Sequence, residues 1–325
     1  MHPTASDPAR LRVGIAAALL SSAAFGTSGP FAKSLIVAGW SPTAVVVARL
    51  AGAALMLVPV AALTARRRVR IDARSARSLV VYGLVAMAGA QVGFFNAVRT
   101  LDVGVALLLE FLAPVLLLAV SSLRLRRLPS RRTAAGAALT LVGLALVLDL
   151  TGPGGLDPVG VLWGLFAAAC LAGYFVLSAR RDDALPPVVL AAGGTTVGAV
   201  AIAAIGATGA LPLTASASDV TLAGATLPVL VPLALLVVIS TVVAYVTGIA
   251  AVVRLGTRTS SFVALTEVLF AVLAAWLLLA ELPGPMQLAG GVCIVTGIVL
   301  VQRGERVVAE AAPTSEAALV ATPDH

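Results

Sequence analysis

Apolar runs of about twenty residues, interrupted by short polar or charged stretches, recur along the whole of this 325-residue chain. The hydrocarbon core of a bilayer is about 30 Å thick and a helix rises 1.5 Å per residue, so a span needs about 20 apolar residues. On that length the pattern predicts ten helical spans, at residues 13–38, 42–63, 79–98, 102–123, 133–150, 159–179, 187–207, 227–250, 259–280 and 286–302. Runs such as VLVPLALLVVIS lack the alternation of a transmembrane barrel. Lipid offers no partner to a free backbone N–H or C=O, so the expected fold class is an all-α membrane protein.

The pattern repeats. In GIAAALLSSAAFGTSGPFAK and GVLWGLFAAACLAGYFVLSAR, Gly14 aligns with Gly160, Gly26 with Gly173 and Lys33 with Arg180. Further on, Glu110 aligns with Glu267, Gly136 with Gly290 and Gly143 with Gly297. The unit is five spans long, and an odd number of spans makes the second copy enter the membrane from the opposite side. The expected organisation is a cytoplasmic segment at 1–12, a first five-helix repeat at 13–150, an inverted second repeat at 151–302, and a disordered cytoplasmic tail at 303–325. Inverted repeats are a carrier architecture, with the substrate site between the repeats near the bilayer midplane and often on broken helices.

The composition agrees: 60% of residues are hydrophobic and 11% charged, against roughly a quarter charged in soluble domains. The net charge of +7 does not point to nucleic acid, because the basic residues collect in alternate loops, ARRRVRIDARSAR after the second span and RLRRLPSRR after the fourth. With a cytoplasmic N-terminus, every Lys or Arg of the loops and termini except Arg99 falls inside, which is the positive-inside pattern of a multi-pass protein of the cell (inner or plasma) membrane with both termini cytoplasmic. Anionic lipid is the expected partner of these arginines. Cys170 and Cys293 lie singly in spans and the two histidines lie in the tails, so neither a metal nor a cofactor is expected. The adjacent acids of ARRDDA, at Asp182 and Asp183, read as a solvated turn.

The layout, FGTSGPFAKSLIVAGWSP leading to Arg49, ALLLEFLAPVL in the fourth span, and ALTEVLFAVLAAWLLLAELPGPMQLAGG near the end together resemble the EamA family of the drug/metabolite transporter superfamily over residues 12–303. The resemblance implies a carrier with a cytoplasmic N-terminus whose relatives export amino acids, purines, nucleosides or toxic compounds. It also implies an acidic residue closing the fourth and ninth spans. Glu281 supplies the latter, whereas LRLRRLP replaces the former.

Polar groups at membrane depth nominate the site. Gly26, Thr27, Ser28, Gly29 and Pro30 interrupt the first span with weak helix formers and a residue without N–H, and Pro114 repeats the device four residues after Glu110. Lys33, Arg49 and Glu110 each lie roughly 9–12 Å below the outer surface by residue count, so they are expected to share one level. Two cations against one carboxylate suit a substrate carboxylate. Gln91 and Asn96 offer a polar face in the third span, and Tyr174 and Tyr245 offer hydroxyls or a ring face to an amino group. Glu110 and Glu267, at matching positions of opposed repeats, are candidates for proton coupling or gating, with protons as the coupling ion. Trp40 reads as an interfacial anchor. The leading function is a secondary transporter exporting small polar, amino-acid-like metabolites by alternating access. A multidrug efflux carrier and a membrane-embedded enzyme acting on a lipid-linked substrate are the competing readings, the last lacking any catalytic cluster.

Overall fold

The computed structural model describes residues 8–64, 73–125, 130–148, 157–179 and 185–311. They are mostly helical. In chain order the helices are α1 (Pro8–Gly26), α2 (Ser28–Val37), α3 (Pro42–Thr64), α4 (Ala73–Tyr82), α5 (Ala90–Ala97), α6 (Val103–Glu110), α7 (Ala113–Leu125), α8 (Arg131–Leu148), α9 (Pro158–Ala179), α10 (Pro187–Ala207), α11 (Leu230–Val237), α12 (Ala244–Ala264), α13 (Thr266–Leu279) and α14 (Pro285–Ala311). A two-stranded hairpin, β1 (Val220–Leu222) and β2 (Ala225–Leu227), precedes α11. Pro42, Pro158, Pro187 and Pro285 each open a helix, where the missing N–H needs no partner. Among the described residues six helices are long and apolar enough to cross a membrane: Leu11–Val37, Pro42–Leu63, Ser75–Ala97, Val103–Val120, Val188–Ala207 and Leu230–Leu255. Shorter apolar helices cover Pro158–Tyr174, Thr266–Leu279 and Pro285–Val301.

Two wide, π-helical segments were not legible beforehand. One, Gly83–Gly89, joins α4 to α5; the other, Val238–Val243, joins α11 to α12. They occupy matching places in the two sequence repeats. The helices also pair in matched fashion. α1 packs on α12 as α9 packs on α5, α1 packs on α13 as α9 packs on α6, and α3 packs on α10 and α8 on α14, each on its counterpart in the other half.

Glycines set how closely these helices approach. A Cβ at Gly136 would lie 2.7 Å from the Gly297 carbonyl oxygen, and one at Gly143 would lie 2.6 Å from that of Gly290. Since Gly136 aligns with Gly290 and Gly143 with Gly297, α8 and α14 are repeat mates that run antiparallel, backbone on backbone, a contact only residues without side chains permit. The same correspondence relates Gly14 against Leu255 to Gly160 against Leu101, and Gly93 against Ala167 to Gly248 against Ser21. It fails at Gly26, which lies against Ala271, while its mate Gly173 lies against Val85.

Several expectations need correction. The break in the first span is one residue wide. Gly29 and Pro30 lie inside the first turn of α2, and the interruption is confined to Thr27, whose hydroxyl donates to the Ala24 carbonyl at 2.7 Å and so repairs the loosened turn. Pro114 likewise lies in the first turn of α7, and the turn itself is Phe111–Leu112, immediately after Glu110. The C-terminal helix continues to Ala311, past the expected tail boundary at 303, because the chain beyond Arg303 is rich in helix formers. α12 is helical to Ala264, across the expected loop. The reversal nevertheless falls there: Gly14 meets Leu255, while Ser22, two turns along α1, donates to the Val263 carbonyl at 3.3 Å. Asp182, Asp183 and most of the basic loop residues lie outside the described residues.

Candidate functional site

Arg49 is the organising residue. It lies two turns into α3 at 1% exposure, and a guanidinium cannot shed its charge, so burial is tolerable only if its N–H groups are bonded. Its Nε donates to Thr241 Oγ1 at 2.8 Å and its NH2 to the Ser240 carbonyl at 3.0 Å. Both acceptors belong to the second π segment. The Thr241 hydroxyl is fixed in turn by donating to the Leu236 carbonyl, five residues back, at 2.8 Å. The NH1 group donates to Ser28 Oγ at 2.5 Å, at the start of α2, and to Gln91 Oε1 at 2.7 Å, on α5. The Phe95 ring lies against one face of the cation, 5.5 Å from Cζ to the ring centre. Thr27 closes the cluster by sharing a 2.7 Å hydrogen bond with Ser240 Oγ. One cation therefore ties the break in the first span to the third span and to the π segment of the eighth.

Glu110 and Glu267 both interact electrostatically with Arg49, and with each other. Each sits at a helix break, Glu110 ending α6 and Glu267 in the first turn of α13. Among the described residues neither carboxyl has a cation within 4.0 Å. Tyr245, at the start of α12, belongs to the same cluster; its hydroxyl lies 3.0 Å from Met87 Sδ in the first π segment, and its ring meets Phe25 edge-on at 5.1 Å. Tyr174 packs on Tyr82 with ring centres 5.8 Å apart. The structure thus brings together Thr27, Ser28, Arg49, Gln91, Tyr245, Glu110 and Glu267. It leaves out Asn96, whose amide bonds back to the Val92 carbonyl of its own helix at 2.8 Å.

Lys33 is the clear departure. Its expected level with Arg49 does not hold, because its long stem carries the ammonium outward along α2. There it meets Glu281 Oε1 at 2.5 Å, the Leu101 carbonyl at 2.8 Å and Asp102 Oδ1 at 4.0 Å. Glu281 Oε2 also accepts the Val103 N–H at 3.1 Å, the first residue of α6. This end of the molecule is strapped further by the segment before α11. Ser41 N–H donates to the Thr214 carbonyl at 2.9 Å, Trp40 Nε1 to that of Ser216 at 2.7 Å, and Ala223 N–H to that of Leu278 at 2.8 Å. Trp40 therefore has a hydrogen-bonding role in the strap. Nearby, Asp157 caps α9, and the Thr100 hydroxyl beside it, with the Gly160 and Val159 N–H groups, holds its carboxyl below the usual range.

Ser240 and Thr241 belong to the Arg49 cluster and were passed over by sequence reasoning. Their signal was present: two adjacent hydroxyls inside LLVVISTVVAY, an otherwise apolar run.

Comparison with known proteins bears on this arrangement. The profile of the EamA-like transporter family matches twice, over residues 12–149 and 158–303. Among solved structures, nineteen chains match. One, described only as the crystal structure of a protein, is 20% identical, covers 90% of this chain and 98% of its own, and superposes with a TM-score of 0.55. That likeness concerns the fold. A search of curated proteins returned no match.

Proposed function

From the premise that the chain belongs to the EamA-like transporter family, within the drug/metabolite transporter superfamily, we propose that it exports small, polar, amino-acid-like metabolites across the cell membrane by alternating access. In this reading ten spans form two inverted five-helix repeats with both termini cytoplasmic. The antiparallel Gly136–Gly297 and Gly143–Gly290 contacts and the matched π segments support the inverted arrangement.

The observation that carries the function is the buried guanidinium of Arg49, held by neutral acceptors from three separate helices, with two carboxyls at helix breaks within its electrostatic field. A charge inside a span is costly and marks a substrate or ion path. A cation suits a carboxylate, and carboxyls within its field suit an ammonium or a proton. Lys33 and Glu281 close one end of the path in this conformation. Lys33 then serves the gate and Arg49 the substrate.

The test is release of label from proteoliposomes loaded with a uniformly carbon-14-labelled amino-acid mixture. The protein should release label at least tenfold faster than protein-free vesicles, and Arg49→Gln, checked for monodisperse behaviour, should fall to the protein-free rate. Release by Arg49→Gln at the unmutated rate refutes Arg49 as the substrate's ligand.

A further inference from the structure

We infer that Ser28 and Gln91 are stand-ins for a substrate carboxylate on Arg49, and that their displacement selects carboxylate-bearing substrates; the inference rests on the transport reading above.

The guanidinium presents its N–H groups in a rigid planar fork. Two sides of that fork are held differently. Nε and one hydrogen of NH2 meet acceptors fixed by the main chain: Ser240 offers a backbone carbonyl, and the Thr241 hydroxyl is pinned by its bond to Leu236. Those contacts anchor the cation to the π segment. NH1 meets only the ends of two side chains, from helices on either side. Either can turn away, since a serine hydroxyl rotates about one bond and a glutamine amide sits on a flexible stem.

Neutral acceptors are also the weaker choice for a buried cation. A bond from a guanidinium is charge-assisted whatever its acceptor, but a carboxylate also brings the opposite charge and forms two such bonds in parallel on the fork. Among the described residues no carboxylate lies within 4.0 Å of Arg49. The cation is thus solvated by the protein and left without its preferred counterion. An arriving carboxylate takes NH1 and the remaining NH2 hydrogen, and Ser28 and Gln91 swing aside. Phe95 covers one face of the guanidinium, and the N–H groups point along its plane, where the carboxylate meets them. Releasing Ser28 frees the start of α2, so binding is felt at once by the helix that carries Lys33 to the gate.

The arrangement is one-sided. The repeat mate of the Arg49 region is AAGGTT, without a cation, and the first π segment, GLVAMAG, offers no hydroxyl where the second has Ser240 and Thr241. A cation retained only for symmetric packing would occur in both halves.

Gln91→Glu is the decisive variant, because it tethers a carboxylate at the stand-in's position. In the proteoliposome assay it should reduce release to the protein-free rate while the melting temperature holds or rises. Gln91→Ala should instead lower the half-saturating concentration of the labelled mixture, by about tenfold or more, as expected when a competing hydrogen bond to a charged group is removed. A purely structural Gln91 would leave half-saturation unchanged or raised, whatever the change in melting temperature. Wild-type vesicles that release nothing refute the transport reading itself and this inference with it. Active wild-type vesicles with equally active Gln91→Glu refute the inference alone. If Gln91→Glu does not fold, Gln91→Ala decides: an unchanged or raised half-saturating concentration overturns it.

Discussion

Arg49 is nearly sealed from solvent, and removing any one of its partners would leave a buried N–H without an acceptor, a loss of about 1–3 kcal/mol. Glu110 and Glu267 share its field from the two repeats. We take them as the proton-sensing pair. Glutamine keeps the shape and hydrogen bonding but cannot release a proton, so Glu110→Gln or Glu267→Gln should uncouple release from an imposed pH gradient while leaving one-for-one substrate exchange intact. Unchanged pH dependence in both variants would make the carboxyls structural. At this scale the sequence marked most of the cluster, since a polar side chain in an apolar run is conspicuous. It misjudged Lys33, because residue counting gives the depth of a Cα and not where a four-carbon stem delivers its ammonium. Ser240 and Thr241 escaped for another reason: a hydroxyl in a span bonds by default to its own helix, as Thr241 does to Leu236, and the sequence does not show that Arg49 meets this π segment through that hydroxyl and the Ser240 backbone carbonyl.

Between elements, the Lys33–Glu281 pair joins α2 to the end of α13 and, through the Val103 N–H and Leu101 carbonyl, to the start of α6. Both side chains are mostly buried, at 16% and 17% exposure, so the pair is less screened than a surface bridge. The proposed outward opening must break it. In a background lacking Cys170 and Cys293, a cysteine at Val272, behind the pair, should react with an impermeant thiol reagent about fivefold faster when Glu281 is changed to Gln, the shift expected for a pair worth about 1 kcal/mol. Lys33→Glu with Glu281→Lys should restore the slow rate. Equal reactivity in all three backgrounds would show that the pair does not gate. The acid at 281 was visible in the sequence; its partner was not, because the two are far apart along the chain.

At the scale of the whole molecule, the proposed orientation puts the strap at residues 212–227 outside the cell. With the native cysteines replaced, Ser216→Cys should be labelled by an impermeant reagent in intact cells, at a reduced rate because the Ser216 carbonyl is held by Trp40. Labelling only after lysis would invert the topology. The sequence alone determined the helical class, the twofold repetition and that the first and fourth spans are interrupted, though not at which residue, because apolar length, aligned glycines and proline are local properties that the chain carries wherever it folds. Tertiary structure decided the rest. The π segments, the antiparallel seating of Gly136 on Gly297, and the division of labour between two cations a few turns apart depend on which helix faces which. Lys33 turned away from Arg49 because Glu281 was within its reach, and Arg49 stayed buried because hydroxyls, an amide and a carbonyl from three helices converged on it.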